Sequence, residues 1–134
     1  MTTAPLARHW VAVCTVRQLI PERGVAVLVD EQQIALFRLR TGGLDRVHAL
    51  GHHDPFSSAN VMARGLVGSV TVEGEERDTV ASPMFKHVFD LVTGECLNEP
   101  GTRIPTYRTC VVAGVVYVDR RAVALAATDL AEAG

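Results

Sequence analysis

What most constrains this chain is a cadence of short apolar runs broken by turn residues. Trp10-Val11-Ala12-Val13-Cys14 is followed by Pro21-Glu22-Arg23-Gly24, and Val25 to Val29 by a polar turn at Asp30-Glu31-Gln32. Ile34 to Leu39 leads through Thr41-Gly42-Gly43 into Val47-His48-Ala49-Leu50. The pattern resumes with Leu66 to Val72, a charged turn at Glu73-Gly74-Glu75-Glu76-Arg77, Thr79 to Ala81 and Val88-Phe89-Asp90. A hairpin then runs from Tyr107 to Val112 through Ala113-Gly114 to Val115-Val116-Tyr117-Val118. Short strands joined by tight turns predict an all-β antiparallel sandwich or barrel. The Ala-rich stretch from Ala122 to Ala133, with Leu125 and Leu130, favours a short C-terminal helix or a frayed end.

With 134 residues the chain can bury one core of ordinary size, whereas two independent cores would each be marginal. Its net charge of -2 and scattered Lys and Arg argue against a nucleic-acid or anionic membrane surface. No run approaches the roughly 18 apolar residues that span a bilayer, and Met1 to Arg8 lacks a basic segment followed by an apolar one, so a cytoplasmic location is expected. Cys14, Cys96 and Cys110 are odd in number, widely spaced and set in apolar surroundings, which marks them as buried free thiols. A Cys96 nucleophile activated by His87 lacks an acidic orienting residue and an oxyanion loop. No Gly-x-Gly-x-x-Gly dinucleotide loop occurs, so the chain by itself should neither bind NAD nor catalyse.

Two segments carry the remaining chemistry, Leu50-Gly51-His52-His53-Asp54-Pro55-Phe56 and Ser82-Pro83-Met84-Phe85-Lys86-His87-Val88-Phe89-Asp90-Leu91. Pro55 and Pro83 suit exposed turns better than central strands, and the Asp54 carboxylate is placed to cap its turn by accepting from backbone amides. Adjacent His52 and His53 rarely point at one centre, and with no cysteine nearby a zinc site is not expected. Arg64 reads as a solvated charge.

The two segments resemble the metal-binding loops of a Rieske iron-sulfur domain, which carry Cys-x-His and Cys-x-x-His because two thiolates hold one iron and two imidazoles the other. The resemblance spans about residues 10 to 119, with 1–9 as an N-terminal extension and 120–134 as a tail. It is greatest to the small subunits of cytoplasmic NAD(P)H-dependent nitrite reductase, a branch without cluster ligands. Its carriers are Asp54-Pro55-Phe56-Ser57, Asn60-Val61-Met62-Ala63-Arg64-Gly65-Leu66-Val67-Gly68, Val80-Ala81-Ser82-Pro83-Met84-Phe85-Lys86 and Phe89-Asp90-Leu91-Val92-Thr93-Gly94-Glu95-Cys96-Leu97. On that alignment Gly51 and Ser82 stand at the thiolate positions and Phe85 at the second imidazole position, leaving only His53 as a ligand type, and one imidazole cannot hold a two-iron cluster.

The resemblance implies a Rieske-like fold with both loops as hairpin tips at one end. It also implies an accessory role beside a large subunit that carries FAD, siroheme and an iron-sulfur cluster and reduces nitrite to ammonia. The alternatives are an electron-carrier ferredoxin of the Rieske type, which the missing thiolates oppose, and a free-standing β-fold ligand-binding domain. His53, Pro55, Phe56, Met84 and Phe85 are the candidate partner-docking residues. Phe56 and Phe85 are further expected to fill the space that a cluster would take, so that packing and docking divide the tip between them.

Overall fold

The computed structural model describes residues 7–41 and 43–123. They form eleven strands: β1 (Trp10–Thr15), β2 (Gly24–Val29), β3 (Gln32–Thr41), β4 (Leu44–Gly51), β5 (His53–Asp54), β6 (Ala59–Asn60), β7 (Leu66–Val72), β8 (Glu75–Ala81), β9 (Val88–Asp90), β10 (Thr106–Val112) and β11 (Val115–Ala122). All pairings are antiparallel, in one sheet ordered β1-β11-β10-β4-β3-β2, a second of β7-β8-β9 and a small hairpin of β5 and β6. The all-β architecture read from the sequence is therefore the one observed.

β3 shows how the sequence places the layers. Side chains alternate across a strand, so the continuous apolar run Ile34-Ala35-Leu36-Phe37 supplies both faces of its sheet. Ala35, Phe37 and Leu39 join Leu50, Met62, Val80, Phe89 and Ile104 in one buried cluster, reached from the small sheet and the tip loops. Ile34 and Leu36 join Leu19, Val29, Ala49, Val116 and Val118 in another. The two clusters share β3 and β4, which is how a chain of this length sustains both.

Hairpin connections are tighter than the sequence suggests. The charged turn expected over Glu73 to Arg77 is only Glu73-Gly74, and Glu75 to Arg77 already belong to β8. Positive φ at both turn residues, 51° and 81°, gives a two-residue turn whose twist matches the strands, so no longer loop is needed. β11 continues to Ala122, so 120–122 of the expected tail are strand. The helix expected further on lies outside the described residues. No described helix is long and apolar enough to cross a membrane.

Candidate functional site

β4 delivers the first loop and the β8–β9 hairpin delivers the second. His52 is buried and tied on every side: its N–H donates to the Gln33 carbonyl, its carbonyl accepts from Val61 and Met62, and its Nδ1 accepts from the Ala63 N–H at 3.1 Å. An accepting Nδ1 requires the neutral ring with the proton on Nε2. Burial first, and then the Arg64 charge, hold its pKa below the ordinary histidine value. His52 is thus a latch between the first loop and the 3₁₀ turn Met62–Arg64. His53, the sole ligand type left, is exposed, and its Nδ1 lies 3.2 Å from Asn60 Oδ1 across the β5–β6 hairpin.

Asp54 is completely buried. It caps its turn as expected, with Oδ1 accepting from the Phe56 N–H at 2.9 Å. Its other oxygen accepts from the Ser82 hydroxyl at 2.5 Å. Burial pushes this carboxyl up, but the Ser82 and backbone hydrogen bonds outweigh it and leave the pKa below the usual carboxylate value. Ser82 is itself buried and also accepts from the Met84 N–H at 3.3 Å. Ser82 and Asp54 thus form a hydrogen-bonded bridge between the two loops.

A Cβ added to Gly51 would meet Ile104 Cγ2 at 3.1 Å, while the Gly51 N–H donates to the Pro105 carbonyl. A third segment, Ile104-Pro105, thus closes against the first loop. Nothing local in the sequence marks it, since it arrives from fifty residues downstream by tertiary packing.

The aromatic filling differs from the expectation. Phe56 does pack onto the core, but its partner is His87, with ring centres 3.7 Å apart and planes at 7°. Phe85 remains 61% exposed and Met84 49%. The reversal comes at Lys86, whose backbone is left-handed at φ 61°, so that Phe85 lies on the outer arc and His87 returns beneath Phe56. Cys96 is buried nearby, as expected of a free thiol, and burial pushes its pKa up. It donates to Asn98 Oδ1, which also accepts from the Val88 N–H and so ties the downstream segment to the second loop.

The donor set does not fit a two-iron cluster: Gly51 and Phe85 offer no ligand atom, and the Ser82 hydroxyl is committed to Asp54. Among the described residues no three of His, Cys, Asp or Glu converge to hold a metal ion. The outer side of the first loop opens on a cleft of about 450 Å³, with Gln33, Gly51, His53, Asn60, Arg103 and Tyr107 in its walls. What the tips offer chemically is an exposed surface in which Pro55, Pro83, Met84 and Phe85 are the apolar groups.

A family model described as the Rieske-like [2Fe-2S] domain matches residues 9–119. The NADH-dependent nitrite reductase small subunit of Escherichia coli K12 is 34% identical over 108 residues, covering 81% of this chain and 94% of that protein. A Mycobacterium tuberculosis protein described as an NADH-dependent nitrite reductase small subunit has a crystal structure that superposes with a TM-score of 0.74 at 46% identity, over 85% of this chain and 96% of that one. The NAD(P)H nitrite reductase large subunit of Klebsiella oxytoca is 32% identical over 112 residues, which is 84% of this chain but 11% of that protein.

Proposed function

This chain belongs to the Rieske-like [2Fe-2S] domain family, among the nitrite reductase small subunits, and from that premise we propose that it is a non-catalytic accessory subunit of cytoplasmic NAD(P)H-dependent nitrite reductase. In this role it binds the large subunit, which holds the FAD, siroheme and iron-sulfur cluster and reduces nitrite to ammonia, while the chain itself carries no cluster and passes no electrons. The observation that carries the reading is the Ser82–Asp54 bridge, which spends a cluster-ligand position on holding two loops in register. The Klebsiella protein supports it, because a stretch similar to this chain lies within the same polypeptide as a large subunit.

The domain of residues 10–119 docks through its tips. Met84 and Phe85 form the apolar centre of the docking face and exposed His53 and Pro55 join it from the first loop, whereas Phe56 acts from beneath as packing. Exposed apolar side chains clustered on one loop fit an interface centre better than a water-facing turn.

Replacing Met84 and Phe85 together by Asp puts unpaired charge at that centre and is expected to weaken assembly by about 2 kcal/mol or more, roughly thirtyfold in Kd. Phe85→Ala alone should leave the unfolding midpoint within about 0.5 kcal/mol of wild type, as for a surface change. The measurements are co-purification with the large subunit, nitrite-dependent NADH oxidation by the mixture, and circular dichroism to establish that each variant folds. A folded double variant that assembles with full activity removes the tip from the interface, and a wild-type chain that binds no large subunit removes the function.

Iron analysis separates this function from an electron carrier. Anaerobically purified protein should be colourless and, after reduction, silent in electron paramagnetic resonance. Near-stoichiometric iron with acid-labile sulfide reverses the assignment.

A further inference from the structure

The outer edge of β7 runs from Leu66, beside the second loop, to the Glu73-Gly74 turn. Adjacent hairpin residues set which backbone groups face outward. Val72 and Glu75 flank a two-residue turn and form a hydrogen-bonded pair, so alternate residues Leu66, Gly68, Val70 and Val72 bond to β8. The opposite parity on β8 agrees, since the Asp78 carbonyl accepts from Leu91 on the other flank. The N–H and C=O groups of Val67, Ser69 and Thr71 therefore point away from the sheet, and none has a backbone partner among the described residues.

The other outer strands have neighbours. β9 is flanked by the Phe89–Cys96 bridge and by the Leu97 N–H donating to Val88, while β1 and β2 approach one another where the large sheet curls, without a backbone hydrogen bond between them. Beside β7, a cleft of about 340 Å³ separates Val67 to Ser69 from Arg40 of the large sheet and from Glu22 in the turn before β2. Proteins blunt such edges with Lys, Pro or bulges. From Leu66 to Val72 the strand has no charge and no proline, and its register with β8 runs without a bulge.

We infer that β7 pairs with β7 of a second copy of this chain, antiparallel about a two-fold axis at Ser69, to give a continuous six-stranded sheet. The sequence is complementary to itself in that register. Val67, Ser69 and Thr71 face Thr71, Ser69 and Val67 of the second copy, so the outward-facing residues meet one another and can exchange six hydrogen bonds. On the outer face Leu66, 78% exposed, lies opposite Val72, and Val70, 36% exposed, opposite Gly68. Gly68 provides the hollow for that valine, because a Cβ there would touch nothing nearer than Thr79 Oγ1 at 3.7 Å. No like charges are brought together along the seven residues, as any charged edge would do to itself. A seven-residue edge is small for an interface, so the dimer is weak and concentration-dependent.

The test is sedimentation velocity on the full chain from roughly 10 μM to 1 mM, where an association of this size falls. Wild type should pass from monomer to dimer across that range. Ser69→Pro removes two of the six hydrogen bonds at the axis yet leaves the β8 ladder whole, because the Ser69 N–H faces outward. It and Val70→Lys, which sets two lysines across the axis, should each lower the association constant at least tenfold with an unchanged circular dichroism spectrum. A wild-type chain monomeric throughout overturns the inference, as does dimerisation of both variants at wild-type strength. So does a wild-type chain monomeric alone whose Ser69→Pro variant loses the large subunit, since the edge is then the partner's. The first two outcomes leave the Met84 and Phe85 docking face untouched, whereas the last extends the large-subunit interface to β7.

Discussion

Gly94→Ala is expected to cost about 4 kcal/mol of stability or more, placing it in the exceptional tail of single substitutions. Gly94 has φ +80°, and an added Cβ would lie 1.9 Å from the Ile104 carbonyl oxygen, a backbone atom that cannot step aside. Both its backbone groups are also committed, the N–H to the Asp90 carbonyl and the C=O to the Ile104 N–H, each at 2.8 Å. The Asp90 carboxylate fixes the same turn by accepting from Val92 and Thr93. Relief of the clash therefore has to move the segment that closes against Gly51, so the tip should loosen together with the global loss. Urea unfolding provides the stability change, and hydrogen exchange at the Gly51 N–H reports the loosening. A shift below about 1 kcal/mol would show that the turn yields at little cost.

The second large effect is at Asp54. Asp54→Ala leaves the Ser82 hydroxyl and the Phe56 N–H without their acceptor in a buried place, and a cost of about 3 kcal/mol is expected. Acid stability carries the same signature. Because the folded-state pKa of Asp54 lies below its unfolded value near 3.9, its contribution is complete above that value and is lost as pH falls through the lower one. Asp54→Asn, which cannot titrate, should flatten this part of the acid limb. Asp45 and Asp119, also lowered by their arginine partners, keep the rest of it. Stability of Asp54→Ala equal to wild type, or an unchanged acid limb in Asp54→Asn, would rule out the loop bridge as a stabilising element.

The strands were legible because their signals are local. Alternation and β-branched runs mark β2, β3, β10 and β11, and the continuous apolar run of β3 already implies burial on both faces. Turn boundaries were less so, as at Glu75 to Arg77, because charged residues are as much at home on an exposed strand as in a turn. At the tip, the Asp54 cap could be read directly, since its acceptor lies two residues from its donor.

The other contacts of the tip could not. The partners of Ser82, Gly51 and Phe56 are Asp54, Ile104 and His87, separated from them by 28, 53 and 31 residues. The sequence by itself determined the β architecture and the family, both of which depend on residue type and short-range pattern. Only the tertiary structure decided that His87 rather than Phe85 fills the tip, that Phe85 and Met84 face outward, and that β7 keeps an open edge. Those outcomes depend on which way the chain reverses at Lys86 and on which distant segments close over each strand, and packing between remote residues is not encoded in any local run.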